Sequence, residues 1–357
     1  MKDAVTLRDV ANAARVSKAT VSNVFSRPER VRPELRARIE AVASELGYAG
    51  PDPKGRLLSS GKFNAIGFLP AGAYGICGAF SSDYVRDFLH GVSEVCEEHG
   101  ASLTLVSGMD DKRAAGIKNA LVDGFILGSE EDAALVATAK RRGVPIVLMD
   151  EGGGPDVSSV RIAEADGARQ ATQHLLDLGH RRFTIMTVLR QQDRAAVFHA
   201  PTGSRRKLVA AYSAELERLA GVAEALAAAG VSINDVPIVE SGADRGASVG
   251  SATEGASLLL DKAAGATAVI ALADSLALAM LKEAHRRGID VPKELSVVGF
   301  DDAPNAASSN PPLTTVAQPT EEKGRVAARL LLENGPPRQV VLPVELRIRS
   351  STAPPLN

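Results

Sequence analysis

Near the N-terminus, Ser17, Lys18, Ala19, Thr20, Ser22 and Asn23 fall within one short stretch, and side chains of these types can hold and read a nucleic acid. An asparagine pairs bidentately with adenine, a lysine reaches guanine O6 and N7, and an alanine offers only methyl contact to thymine. Hydroxyls such as those of Ser17, Thr20 and Ser22 can bind phosphate, which fixes a docked protein without reading sequence. On a helix that opens after Ser17, Lys18 and Ala19 at its start and Asn23 further on would face base edges. The competing reading is a helical hairpin with no nucleic-acid role.

Elsewhere the spacing of reactive residues supports no catalytic chemistry. Gly152-Gly153-Gly154 follows a strand but matches neither GxGxxG nor a P-loop, and reads as a turn. No GxSxG motif and no nucleophile–base pair stand out. Asp301-Asp302 is of metal-ligand type, yet no further ligand cluster accompanies it. His180, just past a predicted helix end, reads as a helix-capping cation. No enzyme activity and no cofactor are implied.

The elements that must carry the first cluster are legible. Thr6 and Asp9 form a capping-box pattern, which predicts a helix over Leu7–Ala14. Ser17 is an N-cap for a second helix over Lys18–Phe25, and Pro33 and Gly47 bracket a third over Glu34–Leu46. Leu7, Val10, Ala11, Val16, Val21, Val24, Ile39, Val42 and Leu46 recur at helical spacing and make one small shared core. Helix, tight turn and second helix together form a helix-turn-helix, whose second helix can enter the major groove.

After a Pro- and Gly-containing linker the texture changes. Strands are predicted over Ala65–Leu69, Ser102–Val106, Gly124–Leu127, Pro145–Met149, Phe183–Val188, Pro237–Glu240, Ala268–Leu272, Leu295–Phe300 and Val340–Leu342. They alternate with helical stretches such as Asp83–His99, Gly167–Leu178, Ala214–Ala229, Thr253–Ala263 and Ser275–Arg287. Such alternation implies α/β architecture with parallel sheets covered on both faces. The strands exceed one comfortable sheet, which predicts two doubly wound lobes with a cleft between them.

Charge distribution agrees with this division. Residues 1–62 carry twelve Lys or Arg against seven Asp or Glu, so a head of +5 sits on a body of −7 within a net charge of −2. A basic head on an acidic body suits a polyanion-binding module. Two cysteines make no disulfide framework, the start has no apolar signal region, and no apolar run reaches membrane-spanning length. The expectation is a cytoplasmic protein with no membrane role.

The segments TLRDVANAARVSKATVSNVFS, VRPELRARIEAVASELGY and GPDPKGRLLSSGKFNAIGFLP resemble the head and hinge of the lac repressor (LacI/GalR) family. The resemblance continues in order through VDGFILGS, VPIVLMD, SSVRIAEADGARQATQHLLDLGHRR, ERLAGVAEALAAAG, ELSVVGFDD and PPLTTVAQP. It implies a helix-turn-helix head over residues 1–50, a hinge over 51–61, and a two-lobed periplasmic-binding-protein-like (type I) core over 62–357. The implied protein is a transcription regulator, most simply a repressor. It acts as a homodimer, or as a tetramer, on a near-palindromic double-stranded operator. A small-molecule effector, a sugar, nucleoside or related metabolite, binds between the lobes.

By the same resemblance the base-reading positions fall on Lys18, Ala19 and Asn23, the groove-prying leucine of the hinge on Leu58, and ligand contacts on Arg218 and Asp301. Leu58 can alternatively serve dimer contact, and Arg218 and Asp301 can instead pair with each other as a structural ion pair. Tyr84 can stack on a ligand ring or pack in the core. The first lobe is expected to span about 62–160 plus part of 318–336, and the second 161–317 plus the C-terminal strand.

Several positions depart from the family pattern. Arg15 stands at a turn position usually glycine, and Gly55 where the hinge usually has alanine. Ala163 and Ala273 replace polar residues. The long segment 189–213, with Arg190, Arg194, Arg205, Arg206 and Lys207, reads as a solvated insertion or a cationic lid for an anionic ligand. A transport solute-binding protein would lack the basic head and carry a secretory signal, an α/β enzyme would show a nucleophile or phosphate loop, and a sensor with a protein-binding head remains the alternative to a DNA regulator.

Overall fold

The structure, a computed structural model, describes residues 5–50, 61–70, 75–107, 113–128, 133–188, 197–199, 213–241, 249–333 and 335–356. The hinge residues 51–60, with Gly55 and Leu58, lie outside the described residues, as do 189–196 and 200–212 with their five cations. The chain forms two compact units, Met1–Phe63 and Asn64–Asn357.

The first unit holds α1 (Leu7–Ala14), α2 (Lys18–Ser26) and α3 (Pro33–Glu45). The Asp9 carboxylate accepts from the Thr6 backbone N–H at 2.9 Å and from its hydroxyl at 2.6 Å, which opens α1 and holds the Asp9 pKa below its ordinary value. Ser17 Oγ accepts from the Thr20 N–H at 3.0 Å and opens α2. Val10, Ala11, Ala14, Val21, Val24, Ile39 and Ala43 make the core, with Leu7, Val16 and Val42 packed against it. Leu46, expected there, is exposed, because α3 ends one residue earlier and its backbone turns away toward Gly47 at φ +72°. The edge-to-face pair Phe25–Tyr48, 5.6 Å between centroids, closes the unit instead.

The second unit runs β1 (Ala65–Leu69), α4 (Gly75–Ser81), α5 (Asp83–His99), β2 (Ser102–Leu105), α6 (Arg113–Asn119), β3 (Gly124–Gly128), α7 (Ala133–Arg141), β4 (Ile146–Met149) and β5 (Ser158–Ile162). It crosses at residue 163 into α8 (Glu164–Asp177), β6 (Phe183–Val188), β7 (Val197–His199), α9 (Ser213–Ala228), β8 (Ile238–Ser241), α10 (Val249–Lys262), β9 (Ala268–Ala271), α11 (Asp274–Arg286), β10 (Ser296–Asp301) and β11 (Thr314–Ala317). It returns at 318–319 to α12 (Thr320–Leu332) and β12 (Gln339–Leu342), and crosses again to β13 (Glu345–Arg347).

Two sheets result, ordered β12-β5-β4-β3-β1-β2 and β13-β11-β10-β9-β6-β8-β7. The first is parallel throughout, and the second is parallel except at its edges, where β7 and β13 pair antiparallel. Each central strand of the second sheet is apolar on both faces. Ile185, Ile270 and Val298 face a core with α8 and α9, while their neighbours Met186, Val269 and Val297 face one with α10 and α11. In the first lobe Phe68, Phe88, Ile126, Val147 and Leu331 bring α5 and α12 onto the sheet.

Three expectations need correction. The strand near Val340–Leu342 pairs in parallel with β5 and so belongs to the first lobe, and the second lobe's C-terminal strand is β13. The segment 189–213 is not wholly an insertion, since Val197–His199 adds an edge strand to the second sheet. His180 does not cap α8. It is buried, with Nδ1 2.9 Å from Thr267 Oγ1 and Nε2 2.8 Å from the Ala353 carbonyl, tying the C-terminal tail to the sheet. Burial depresses its pKa, so a neutral ring serves as connector.

Candidate DNA-reading helix and interlobe cleft

On α2, Val21 and Val24 face the core while Ser17, Lys18 and Ala19 are exposed and Thr20, Ser22 and Asn23 half-buried. Ser17 is engaged within its own helix, with Thr20 Oγ1 2.8 Å from its hydroxyl, and the Ser22 carbonyl accepts from Ser26 Oγ at 2.7 Å. Lys18 and Ala19 stand exposed at the helix start. The turn before them passes through Arg15 at φ +52° and ψ +48°, a left-handed residue whose N–H satisfies the last carbonyls of α1.

In the core, Arg218 of α9 and Asp301 at the end of β10 come together, and the structure adds partners that the sequence reading missed. Arg218 Nε donates to Glu164 Oε2 at 2.6 Å, and Nη1 donates to the Leu272 carbonyl at 2.6 Å and to Asp301 Oδ1 at 3.3 Å. Its guanidinium carbon lies 3.7 Å from the centroid of the Phe300 ring. The Arg218 and Glu164 side chains keep only 8% and 5% of their exposure. Among the described residues nothing hydrogen-bonds the remaining guanidinium nitrogen, Nη2. Arg218 thus pairs with Asp301 and, more closely, with Glu164.

Across the cleft, Tyr84 of α5 is half-buried and donates its hydroxyl to Asp150 Oδ2 at 2.5 Å, just past β4. Lys323 of α12 donates to Asp150 Oδ1 at 2.6 Å and to Gln318 Oε1 at 3.3 Å, and its ammonium lies 4.7 Å from the Tyr84 ring centroid. Gln318 Nε2 donates in turn to Asp301 Oδ1 at 2.8 Å. Polar groups of both lobes thus converge where strands end, the usual ligand position in open α/β sheets.

Two close helix crossings position the cations. A Cβ on Gly221 of α9 would lie 2.0 Å from the Ala165 carbonyl oxygen of α8, and one on Gly324 of α12 would lie 2.1 Å from that of Phe88 in α5. Only glycine permits either approach. Arg218, one turn before Gly221, is thereby brought to Glu164, and Lys323, beside Gly324, to Tyr84.

Burial and charge set the protonation states. Burial raises the Glu164 and Asp301 pKa values against the pull of Arg218. For Arg218 burial opposes the charge, but Glu164 and Asp301 outweigh it and raise its pKa. Asp274 is fully buried, 2.5 Å from Thr315 Oγ1 and accepting from the Ala303 N–H at 2.8 Å. Burial and then Asp301 push it up to about 8. Backbone strain collects here too, with φ +67° at Asp150, +122° at Asp301 and +54° at Asp302.

Asp302 pairs with Arg349 at 2.6 Å, and among the described residues no cluster of three or more His, Cys, Asp or Glu is placed to hold a metal ion. Ala163 and Ala273 sit before α8 and α11 without a side-chain cap, and the acid that meets Arg218 is the next residue, Glu164. No described helix is long and apolar enough to cross a membrane.

A helix-turn-helix unit joined to a two-lobed core with a polar cleft defines a ligand-responsive regulator of transcription. Residues 6–50 match the model of bacterial regulatory proteins of the lacI family, and residues 172–352 match the periplasmic binding protein-like domain. An HTH-type transcriptional regulator of Mycobacterium tuberculosis is 37% identical over 98% of this chain and 97% of its own length. The regulator CelR of Thermobifida fusca is 30% identical over 97% of this chain and 98% of its own. Among solved structures, the lac repressor dimer bound to operator and the anti-inducer ONPF overlays with a TM-score of 0.77 at 25% identity, covering 98% of this chain and 100% of that one. The chain belongs to the lacI family of bacterial transcription regulators.

Proposed function

We propose that two copies of this chain grip a near-palindromic operator with their α2 helices, and that a small molecule in the interlobe cleft changes operator affinity. In this reading Lys18, Ala19 and Asn23 face base edges. Ser17, Thr20 and Ser22 lie against phosphates, and Leu58 unstacks a base step in the minor groove. In the cleft Arg218 and Asp301 meet the effector, with Tyr84 on its far side. The observation that carries the proposal is the exposed start of α2, within a chain whose fold follows the lac repressor bound to operator along nearly its whole length. The Nη2 of Arg218, without a hydrogen-bond partner among the described residues, and the cellobiose and ribose held by two structural relatives, favour a hydroxyl-rich effector.

Lobe rotation links the sites, so whatever factor the effector applies to operator affinity, operator applies to effector affinity. Selection from a pool of random duplexes tests the proposal. An inverted repeat should be enriched, and Asn23→Ala should relax the preference at one base in each half. A pool that stays random, with binding unaffected by removal of residues 1–61, would favour a head that contacts protein.

A further inference from the structure

Lys323 is a charge in a place built for an apolar side chain. It falls on the buried stripe of α12 with Ala327, Leu330 and Leu331, and its side chain keeps 1% of its exposure. A leucine or methionine there would simply extend the core. Desolvating an ammonium is costly unless its partners are fixed, so the partners show what the charge is for. One is Asp150, at the end of a first-lobe strand. The other is Gln318, in the crossover itself.

An ammonium only donates. Gln318 must therefore turn Oε1 toward Lys323, which leaves Nε2 for Asp301 at the end of a second-lobe strand. One cation at the crossing thus aims a carboxylate from each lobe. Both carboxylates ride on left-handed backbone, at φ +67° and +122°, a conformation that persists only where neighbours over-determine it.

We propose that Lys323 is a positioning residue that latches the two lobes in one orientation, with Asp150 and Asp301 already aimed, before any ligand arrives. This goes beyond the proposed function and does not depend on it, because the latch concerns the core alone. Effector affinity then contains a contribution from a cleft organised in advance.

The test measures lobe separation in full-length protein without ligand. Spin labels go on Lys118→Cys of α6 and Lys282→Cys of α11, both exposed, in a Cys77→Ser background. Labelled chains are exchanged into excess unlabelled protein so that distances are read within one protomer. Wild type should give a single narrow distance distribution. Lys323→Met, Asp150→Asn and the charge-neutral double variant should each add a longer population absent from wild type. The double variant should recover thermal stability lost by either single change but not the narrow distribution, an outcome that a purely structural ion pair would not produce. If either single variant fails to fold, the double variant decides. A double variant that folds with the wild-type distribution overturns the proposal.

Discussion

Gly221→Ala inserts one methyl at the crossing that brings Arg218 to Glu164. The new Cβ would lie 2.0 Å from the Ala165 carbonyl oxygen and 2.8 Å from its carbon. Both are backbone atoms, which cannot rotate aside. Reaching an ordinary contact of about 3.4 Å requires α8 and α9 to part by roughly 1.4 Å. Glu164 is the neighbour of Ala165, so its 2.6 Å bond to Arg218 would stretch to about 4 Å, beyond hydrogen-bonding range. A buried charge-assisted bond contributes about 1.5–3 kcal/mol, and overpacking costs about 1–3 kcal/mol more, which sums to about 2.5–6 kcal/mol. Urea denaturation followed by far-ultraviolet circular dichroism reads this as a lowered midpoint of the core transition. Gly152→Ala, whose Cβ would have nothing within 4 Å, is the control and should stay within about 0.5 kcal/mol of wild type. A loss below about 1 kcal/mol for Gly221→Ala would refute the argument that this glycine sets the ion pair.

Arg15→Gly relieves a left-handed residue at φ +52° and should stabilise the head by about 1 kcal/mol, read as slower hydrogen exchange at the buried Val10 and Val21. Ser17→Ala removes the N-cap of α2 and should speed the same exchange, costing about 1 kcal/mol; unchanged rates would mean the cap is idle. Asp274, pushed up to about 8 from 3.8, holds a proton through the neutral range that the unfolded chain has lost. Stability should therefore fall as pH rises toward 8, by up to about 1.4 kcal/mol per pH unit, and level off above. Asp274→Asn can accept from Ala303 and donate to Thr315, and should flatten that slope in urea midpoints taken from pH 6 to 9; an undiminished slope would place the titrating group elsewhere.

The elements that carry strong local signals were legible from residue types alone. The helix over Leu7–Ala14 follows from Thr6 and Asp9, and the strands over Ala65–Leu69 and Phe183–Val188 match their apolar runs residue for residue. Strands β5, β11 and β13 escaped notice because Ser158–Ile162 and Thr314–Ala317 mix hydroxyls with apolar residues and Glu345–Arg347 is a short edge. Each is defined by a neighbour distant in sequence. The same holds at the cleft. Family resemblance pointed to Arg218 and Asp301, but Glu164 meets Arg218 from 54 residues away and Asp150 meets Lys323 from 173 away. One local clue to Lys323 was present, a lysine on the apolar stripe of a helix and beside a glycine. Its meaning depends on Asp150, which the tertiary fold alone brings near.

The most direct test of the account couples the two ends of the molecule. A thermal-shift screen of sugars, nucleosides and phosphorylated metabolites identifies a compound that stabilises wild type but not Arg218→Ala. Fluorescence anisotropy then measures affinity for the enriched inverted-repeat duplex with and without that compound, and calorimetry measures affinity for the compound with and without the duplex. The account predicts one coupling factor, different from unity and equal in both directions. Duplex affinity that is indifferent to a saturated cleft would contradict it.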